Sequence, residues 1–412
     1  MSRAQTPPRT TLLSRAAIAC LAISILCGCN DDRANSDDAA RSRNASESAP
    51  PQERATYSPE SSVGADGVSA DARERDLEIG NAQRTNYLAL QASLRSALAQ
   101  TDPALAEMLT FEAGTVSAVD APGLLQALAN AREGTVVFVP STARIDLTGH
   151  ERIVIPAGVT LASDRHTRGS SGALLYTSDP GATLFAAQER ARIVGLDLMG
   201  PDPSSRSYQL ERLMMEGGHD LYYAVPASIG IYTESSNVRI ENCELWGWSN
   251  AAVAVGPGAH EVQVRHCFLH HNQRLRLGYG VYLDQADALL EANLFDWYRH
   301  CVAGSGRPGT SYEARYNYVL PNASGHAFDM HGGADRNDGT DIAGDHIKIH
   351  RNIVEAAQFP AVVVRGRPRV GLEISENQFR NPDPARTLVL QAGEESATVV
   401  GNKFGVSSMR AK

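Results

Sequence analysis

The chain has 412 residues, of which 42% are hydrophobic and 21% are charged, so it is long enough and apolar enough to bury a large core. Its formal net charge at pH 7 is -9. That balance excludes a general nucleic-acid binder, because such proteins present positive surfaces to phosphates.

The N-terminal stretch has the organisation of a targeting signal. Arg9 and Arg15 precede the apolar run 16–26, which is followed by small residues and Cys29. The run is too short to span a bilayer comfortably. The sequence LCGC ending at Cys29 resembles the lipoprotein box of bacteria, which implies a signal peptide over 1–28 and a lipidated Cys29. An ordinary secretory signal and a single membrane anchor are the alternatives.

Residues 29–82 are rich in Ser, Ala, Asp, Glu, Arg and Pro and contain few large apolar residues. This composition predicts a disordered tether. With a triacylated Cys29, we expect a monomer anchored in the bacterial cell envelope, in the periplasm or on the outer-membrane surface.

Two helices are predicted before the first long run of strands. Leucines between 88 and 98 recur at helical spacing, and a second short helix over 123–132 leads into a strand over 135–140. The second pattern resembles the capped start of pectate-lyase-like β-helix proteins. We therefore expect an N-terminal helical cap over 83–135, which covers a sheet edge that would otherwise invite aggregation.

The second half of the chain repeats one short phrase seven times, at steps of 24, 26, 24, 35, 25 and 25 residues. The repeated position is occupied by Cys243, Cys267, Asn293, Asn317, Asn352, Asn377 and Asn402. A fixed period with period-2 strands predicts an all-β fold, a parallel β-helix over 136–405 with one coil per repeat. Inward Asn side chains would then bond to the coils on either side. The 35-residue step marks a coil with an insertion, where we expect function.

Three cysteines lie in this predicted solenoid. Cys243 and Cys267 occupy neighbouring coils, about one strand spacing (~4.8 Å) apart, which a disulfide can bridge. Two stacked, buried thiols are the favoured interpretation, and Cys301 has no evident partner.

A second strand in each coil alternates between apolar and mixed residues, so its third and fifth positions are predicted to face outward on one exposed strip. The chemically active members of the strip and its border are Tyr282, Asp284, His300, His326, Asp329, His331 and Arg365. Arginines in the adjoining turns add positive charge: Arg274, Arg276, Arg299 and Arg307.

An acid, imidazoles, a phenol and guanidinium groups within a few strand spacings form a plausible acid–base site. The predicted catalytic residues are Asp329, His331, His326, Tyr282 and His300. The predicted substrate-binding residues are Arg365, Arg307, Asp284, Arg274 and Arg276, which suit an anionic polymer whose carboxylates are bound by arginine. The alternative is a ladder of ordinary polar surface residues.

The stretch GHAFDMHGG over 325–333 resembles the Tyr-Gly-Phe-Asp-Pro-His-Asp signature of alginate (mannuronan) epimerases, which are right-handed parallel β-helix enzymes. Phe328, Asp329 and His331 match, whereas Met330 replaces the proline and Gly332 the final aspartate. The resemblance implies a right-handed solenoid and places Asp329 and His331 at the catalytic centre.

The insertion after this motif is rich in aspartate. Asp335, Asp338 and Asp341 make an oxygen-rich turn of the kind that can hold Ca²⁺. Asp, Asn and Gly are also ordinary turn formers, so a plain turn is the alternative.

Together these features predict an enzyme that acts on an acidic, uronic-acid polysaccharide by elimination or epimerisation. Both reactions begin with removal of the proton beside the uronate carboxylate. One alternative is a glycoside hydrolase that uses Asp284 and Asp329 as paired carboxylates. Another is a non-catalytic β-helix that binds glycans or serves as a surface scaffold.

Overall fold

The computed structural model describes residues 87–202, 226–274, 276–393 and 396–406. Their strands form three sheets, here called A, B and C, in which neighbouring strands are parallel. The chain passes from A to B to C and then returns to A one coil further on. The fold is the predicted right-handed parallel β-helix.

Each sheet gains one strand per regular coil. Sheet A contains Val116–Ser117, Val136–Phe138, Thr160–Ala162, Arg192–Val194, Arg239–Glu241, Val262–Arg265, Asp287–Glu291, Ser311–Arg315, His346–His350, Gly371–Ser375 and Thr398–Val400. Sheet B contains Arg144–Asp146, Leu174–Tyr176, Asp197–Met199, Glu244–Trp246, Phe268–Asn272, Leu294–Tyr298, Tyr318–Val319, Ile353–Val354, Gln378–Phe379 and Lys403–Phe404. Sheet C contains Ile153–Ile155, Thr183–Ala187, Ile229–Thr233, Ala251–Val255, Tyr279–Leu283, His300–Gly304, Phe328–Met330, Val362–Val364 and Leu388–Leu390.

Helical segments are few, and they precede the strands or lie in the turns between them. The first helix covers 87–101. The α-helices that follow are Ala121–Asn130, Gly333–Arg336 and Pro384–Thr387, and 3₁₀ turns occupy Pro103–Ala106 and Thr167–Gly169. The helix Gly333–Arg336 belongs to the insertion that lengthens one repeat.

The turn from sheet A to sheet B explains the repeated Asn position. The residue before it adopts a left-handed backbone in successive coils, as at Ala292 with φ 58° and Tyr316 with φ 56°. This conformation costs about 1–2 kcal/mol for a residue with a Cβ. It turns the next residue into the interior, where a side chain can bond to backbone groups.

The Asn side chains form the predicted ladder. The Oδ1 atom of Asn317 accepts hydrogen bonds from the backbone N and the Nδ2 of Asn293, both at 3.0 Å. The Nδ2 of Asn317 in turn donates to the carbonyl of Leu290 at 2.8 Å. The same pattern continues through Asn352 and Asn377. Each amide thus satisfies buried backbone groups of the coil before it.

The hydrophobic core fills the space between the three sheets. The inward residues of sheet C stack in register, Val281 on Val302 and Val302 on Phe328, and these three side chains have no solvent exposure. This confirms the strand register predicted from the apolar alternation. The stacked thiols Cys243 and Cys267 lie in the same core and form no disulfide.

The helix Ala121–Asn130 covers the first coil. Asp120 caps its N-terminus by accepting a hydrogen bond from the backbone N of Gly123 at 2.8 Å. Leu124 and Leu128 are buried in the main core. Sheet A nevertheless begins before this helix, because Val116–Ser117 pairs with Val137 and Phe138. Two exposed residues carry no periodic signal, so the sequence did not predict this strand.

The helix 87–101 lies beside the solenoid rather than over its end. Tyr87, Leu90 and Leu94 pack on Phe268 and its neighbours on the outer face of sheet B. The Tyr87 hydroxyl donates to a carboxylate oxygen of Asp296 at 2.6 Å. Burial raises the pKa of Asp296 to about 6.

Several predicted segments lie outside the described residues: the signal peptide, Cys29 and the tether. Within the described ranges, no helix combines the length and apolarity needed to cross a membrane. The anchoring of the chain therefore stays a prediction.

Candidate functional site

The outward residues of sheet C line up as the alternation predicted. Tyr282 pairs with Ala303, Ala303 with Asp329, and Asp329 with Val363. Asp329 lies between the core residues Phe328 and Met330, so its side chain points away from the interior. His300 is the first residue of the neighbouring strand His300–Gly304, and it pairs with Tyr279. Residues far apart in the chain therefore share one side of sheet C.

This strip is buried, which corrects the expectation of an exposed surface. Asp329 has no solvent exposure, and His300, His331 and Asp284 are also buried. His326 and Tyr282 are half-buried. Strand alternation predicts which side of a sheet a residue faces, but it cannot predict what packs over that side.

Asp329 is the centre of a group of charged side chains. Its Oδ2 lies 3.0 Å from Nε2 of His331 and 3.9 Å from Nε2 of His300. Its Oδ1 lies 3.3 Å from Nη2 of Arg365. Arg365 also reaches Asp335, whose Oδ1 is 3.4 Å from Nη1. One guanidinium group therefore joins two carboxylates from different parts of the inserted coil.

Two opposing effects act on the pKa of Asp329. Burial alone would raise it, since an ionised carboxylate is poorly solvated inside a protein. The positive charge of Arg365, together with the contact from His331, outweighs burial and holds the pKa of Asp329 well below its usual range. Asp329 is therefore a carboxylate at neutral pH and stabilises positive charge on its neighbours.

His300 and His326 form a stacked imidazole pair, with ring centroids 5.3 Å apart. Nδ1 of His300 lies 2.9 Å from the carbonyl oxygen of His326, so Nδ1 carries the proton and donates. Burial, reinforced by the charge of Arg299, lowers the pKa of His300 well below its usual value. His300 is thus a buried, neutral imidazole that positions its neighbours, whereas His326 lies nearer to solvent.

The second predicted carboxylate is paired with arginine. Oδ2 of Asp284 accepts a hydrogen bond from Nη1 of Arg307 at 3.0 Å. The Asp284 side chain is 6% exposed and that of Arg307 is 30% exposed. Arg307 is therefore more open to solvent than Arg365, whose side chain is 10% exposed.

The remaining predicted arginines differ in their surroundings. Arg274 is buried, and its Nη1 donates to the carbonyl of Pro226 at 2.7 Å, which gives it a structural role in the turn from sheet B to sheet C. Arg276 offers its backbone carbonyl to Arg299 at 3.2 Å. The Arg299 guanidinium lies 5.9 Å from the ring centroid of Tyr279. Arg299 and Arg276 thus border the strip, whereas Arg274 does not.

The predicted calcium site is not formed by the three aspartates. Asp335 bonds to the backbone N of Gly332 and pairs with Arg365, whereas Asp338 pairs with Arg336 at 2.8 Å and Asp341 with Arg367 at 3.7 Å. The described residues contain no group of three His, Cys, Asp or Glu side chains able to hold a metal ion. Each carboxylate turns toward its own arginine, so the oxygens do not converge.

Asp335 is instead part of the site around Asp329. Its Oδ2 lies 3.8 Å from Nδ1 of His331, so His331 is held between two carboxylates. Tyr279 was also missed; its ring stacks on His300 at 5.7 Å. His331 precedes the short helix Gly333–Arg336 that carries Asp335, so no helical spacing indicated this contact.

No protein-family model and no curated protein matches this sequence. Solved structures are similar in fold. An alginate lyase from Paenibacillus sp. strain FPU-7 has a TM-score of 0.50 at 15% identity, over 70% of this chain and 94% of that one. The catalytic unit of a GH87 α-1,3-glucanase from Streptomyces thermodiastaticus has a TM-score of 0.44 at 13% identity, over 72% and 59%. A family 28 exopolygalacturonase from Yersinia enterocolitica has 0.39 at 10%, over 74% and 78%.

These likenesses concern the fold. The chain is a right-handed parallel β-helix protein, and structures similar to it include carbohydrate-processing enzymes. The catalytic and binding roles of the residues around Asp329 stay predictions.

Proposed function

We propose that this chain is an enzyme acting on an acidic polysaccharide by elimination or epimerisation at a uronate residue. The observation that supports it is the largely buried group formed by Asp329, Arg365, His331 and Asp335, on the same side of sheet C as half-buried His326 and Tyr282. Fixed charges in a water-poor pocket stabilise charge that develops during a reaction more strongly than charges in water do.

The first requirement of this reaction is an arginine that stabilises the uronate carboxylate. Removing the proton beside a carboxylate builds negative charge on that carboxylate, and a guanidinium group that binds both oxygens stabilises it. Arg307 is more accessible than Arg365, and Arg365 supplies further positive charge next to Asp329. Asp284 orients Arg307 through their 3.0 Å hydrogen bond.

Proton transfer requires side chains that are accessible to a sugar ring. We assign it to His326 and Tyr282, which lie two coils apart on the strip and are half-buried. A neutral imidazole can accept a proton near pH 7, and a phenol can return one. His300 and His331, both buried, hold the site in place.

Hydrolysis with Asp284 and Asp329 as the carboxylate pair fits less well. A carboxylic acid that protonates a leaving oxygen needs a raised pKa. Despite burial, the pKa of Asp329 is held well below its usual range, chiefly by the charge of Arg365. Asp329 therefore cannot be protonated at neutral pH to serve as that acid.

The proposed location of the enzyme in the cell rests on the sequence alone. We propose that Cys29 carries lipid and holds the enzyme in the bacterial cell envelope, where extracellular and envelope polysaccharides are present. A flexible tether over 29–82 would let the body reach along a polymer.

The test is a panel of uronic-acid polymers incubated with the purified protein. Elimination gives unsaturated ends that absorb in the ultraviolet, and epimerisation changes the ratio of uronate epimers measured by NMR. We expect His326→Ala and Tyr282→Phe each to lower the rate by about 10²-fold or more, as for removal of a general acid or base. His346→Ala, an exposed histidine on sheet A, is the matched control.

Each other outcome points to a different function. New reducing ends without ultraviolet absorbance would favour a hydrolase. Binding of the polymers without any product, unchanged in His326→Ala, would favour a glycan-binding scaffold. Activity that survives both substitutions would remove the assignment of proton transfer to these residues.

A further inference from the structure

The outward column that contains Asp329 extends well beyond the proposed catalytic centre. Going toward the N-terminal end of sheet C, bulky and small residues alternate coil by coil. In register, the column reads Asp329, Ala303, Tyr282, Ala254, Tyr232, Ala186 and Val154. Two aromatic rings, Tyr282 and Tyr232, therefore lie two coils apart, and Ala254 lies between them.

The spacing of these rings suits a chain of sugars. Two strand spacings separate neighbouring rings, about 10 Å, which is close to the length of two linked pyranose units. From Tyr232 to Asp329 there are four spacings, about 19 Å, or the reach of roughly four linked sugars. Ala254 and Ala303 are buried between larger neighbours, so a polymer on this side of the sheet would contact the half-buried rings rather than the alanines.

The column has an apolar surface of its own, separate from the core. Ala254 and Ala303 form a cluster with Tyr279, against which Tyr232 and Tyr282 pack. Val154, at the far end of the column, is 45% exposed. Apolar groups in a row on the outside of a sheet present the kind of surface on which the carbon face of a sugar packs.

Tyr232 has a charged neighbour on each side. The guanidinium carbon of Arg152 lies 5.3 Å from its ring centroid. The hydroxyl of Tyr232 donates to the carboxylate of Glu234, which fixes the ring orientation. Arg152 and Glu234 are exposed, and Tyr232 is half-buried. The Arg152 guanidinium lies over the ring, and it can bind the carboxylate of a uronate residue while the sugar contacts the part of the ring that the guanidinium leaves open.

We propose that Tyr232 and Arg152 form a remote subsite for an acidic polysaccharide, about four sugars from Asp329, and that this subsite sets the preferred chain length of the substrate. The inference rests on the proposed function for its catalytic part. Binding at the subsite is a separate property and is measured separately.

The binding test is electrophoresis through gels that contain polygalacturonate or alginate. We expect the polymer to retard the wild-type protein, and Tyr232→Ala and Arg152→Ala to weaken the apparent affinity about three- to tenfold each, since each removes one aromatic or charge-assisted contact. Tyr232→Phe keeps the ring face and should bind like the wild type.

Arg351→Ala is the matched control for Arg152→Ala. Arg351 lies over Tyr316 with its guanidinium carbon 5.8 Å from the ring centroid, but at the turn between sheets A and B rather than on sheet C. Removing it should leave retardation unchanged. An equal loss in the control would overturn the proposal, because it would reflect net charge alone.

The catalytic test uses oligouronates of increasing length. In the wild type, kcat/KM should rise until the oligomer spans from Asp329 to Tyr232, whereas Tyr232→Ala should lose this rise and keep the rate on the shortest substrates. An equal loss at every length would overturn the subsite and leave the proposed function intact. Retardation that depends on Tyr232 without any turnover would support the subsite and remove the proposed function. Absence of retardation by either polymer would overturn the subsite.

Discussion

A carboxylate without solvent contact needs compensating partners close by, and the partners of Asp329 come from three coils. His331 comes from its own coil, His300 from the coil before and Arg365 from the coil after. Because each coil is stacked on the next, none of these side chains can move away alone. The group is therefore preorganised, which is what electrostatic stabilisation of a reaction requires.

Replacing Arg365 should show how strongly burial of the ionised Asp329 carboxylate destabilises the fold. In the wild type the pKa of Asp329 lies below its unfolded value of 3.8, so its ionisation stabilises the fold above about pH 4, and this contribution is lost as pH falls through the native pKa. In Arg365→Met, burial dominates and the native pKa rises, so ionised Asp329 destabilises the fold above about pH 4.

We therefore expect Arg365→Met to lose about 3 kcal/mol of unfolding free energy at pH 7, as when one partner of a buried ion pair is removed, and less at pH 4. Urea unfolding at the two pH values measures this. Arg367→Met is the control, because Arg367 and Asp341 are 57% and 77% exposed and 3.7 Å apart. A loss that is equal at both pH values would contradict the electrostatic account.

The element that fixes the geometry of every coil is the turn from sheet A to sheet B. It combines a residue in the left-handed backbone conformation with an inward Asn side chain. The hydrogen bonds of that side chain satisfy backbone N and O atoms that are buried in the core. The ladder sets the height of each coil relative to the next. A change in it is expected to reach sheet C through the shared core.

Asn317→Ala should cost about 2–4 kcal/mol of unfolding free energy. It leaves the backbone N and Nδ2 of Asn293 and the carbonyl of Leu290 without their partner inside the core. Asn402→Ala removes the same kinds of bond to Asn377 and Ile374, but Asn402 is half-buried in the last coil, where water can replace them. Chemical unfolding of the two variants should show a clearly smaller loss for Asn402→Ala; equal losses would argue against the ladder.

The ladder and the strand register were predictable, because both follow from local periodicity. Asn317 recurs at a fixed position, and Phe328 and Met330 alternate with Asp329. The role of Asp335 was not predictable, since it depends on the path of the insertion, for which no repeat exists. The packing of helix 87–101 on sheet B was equally hidden, because a leucine pattern shows an apolar face but not its partner.

At the scale of the whole molecule, the solenoid makes a long straight surface from a short repeat. The group around Asp329 and the proposed subsite at Tyr232 lie on the same side of sheet C, four coils apart. A rigid rod of this kind suits an extended polymer better than a small soluble ligand. It also makes the position of the rod in the cell important, because the polymer must be within its reach.

The proposed lipid anchor sets that position and can be tested without knowing the substrate. We expect the full chain, expressed in bacterial cells, to partition into membranes and to incorporate labelled fatty acid, because more than one acyl chain at Cys29 gives stable anchoring. Cys29→Ser should lose the label. Cys27→Ser, two residues upstream in the proposed leader, is the control and should stay labelled. Label that persists in Cys29→Ser, or a wild type recovered unlabelled in the soluble fraction, would leave an ordinary secretory signal as the better explanation.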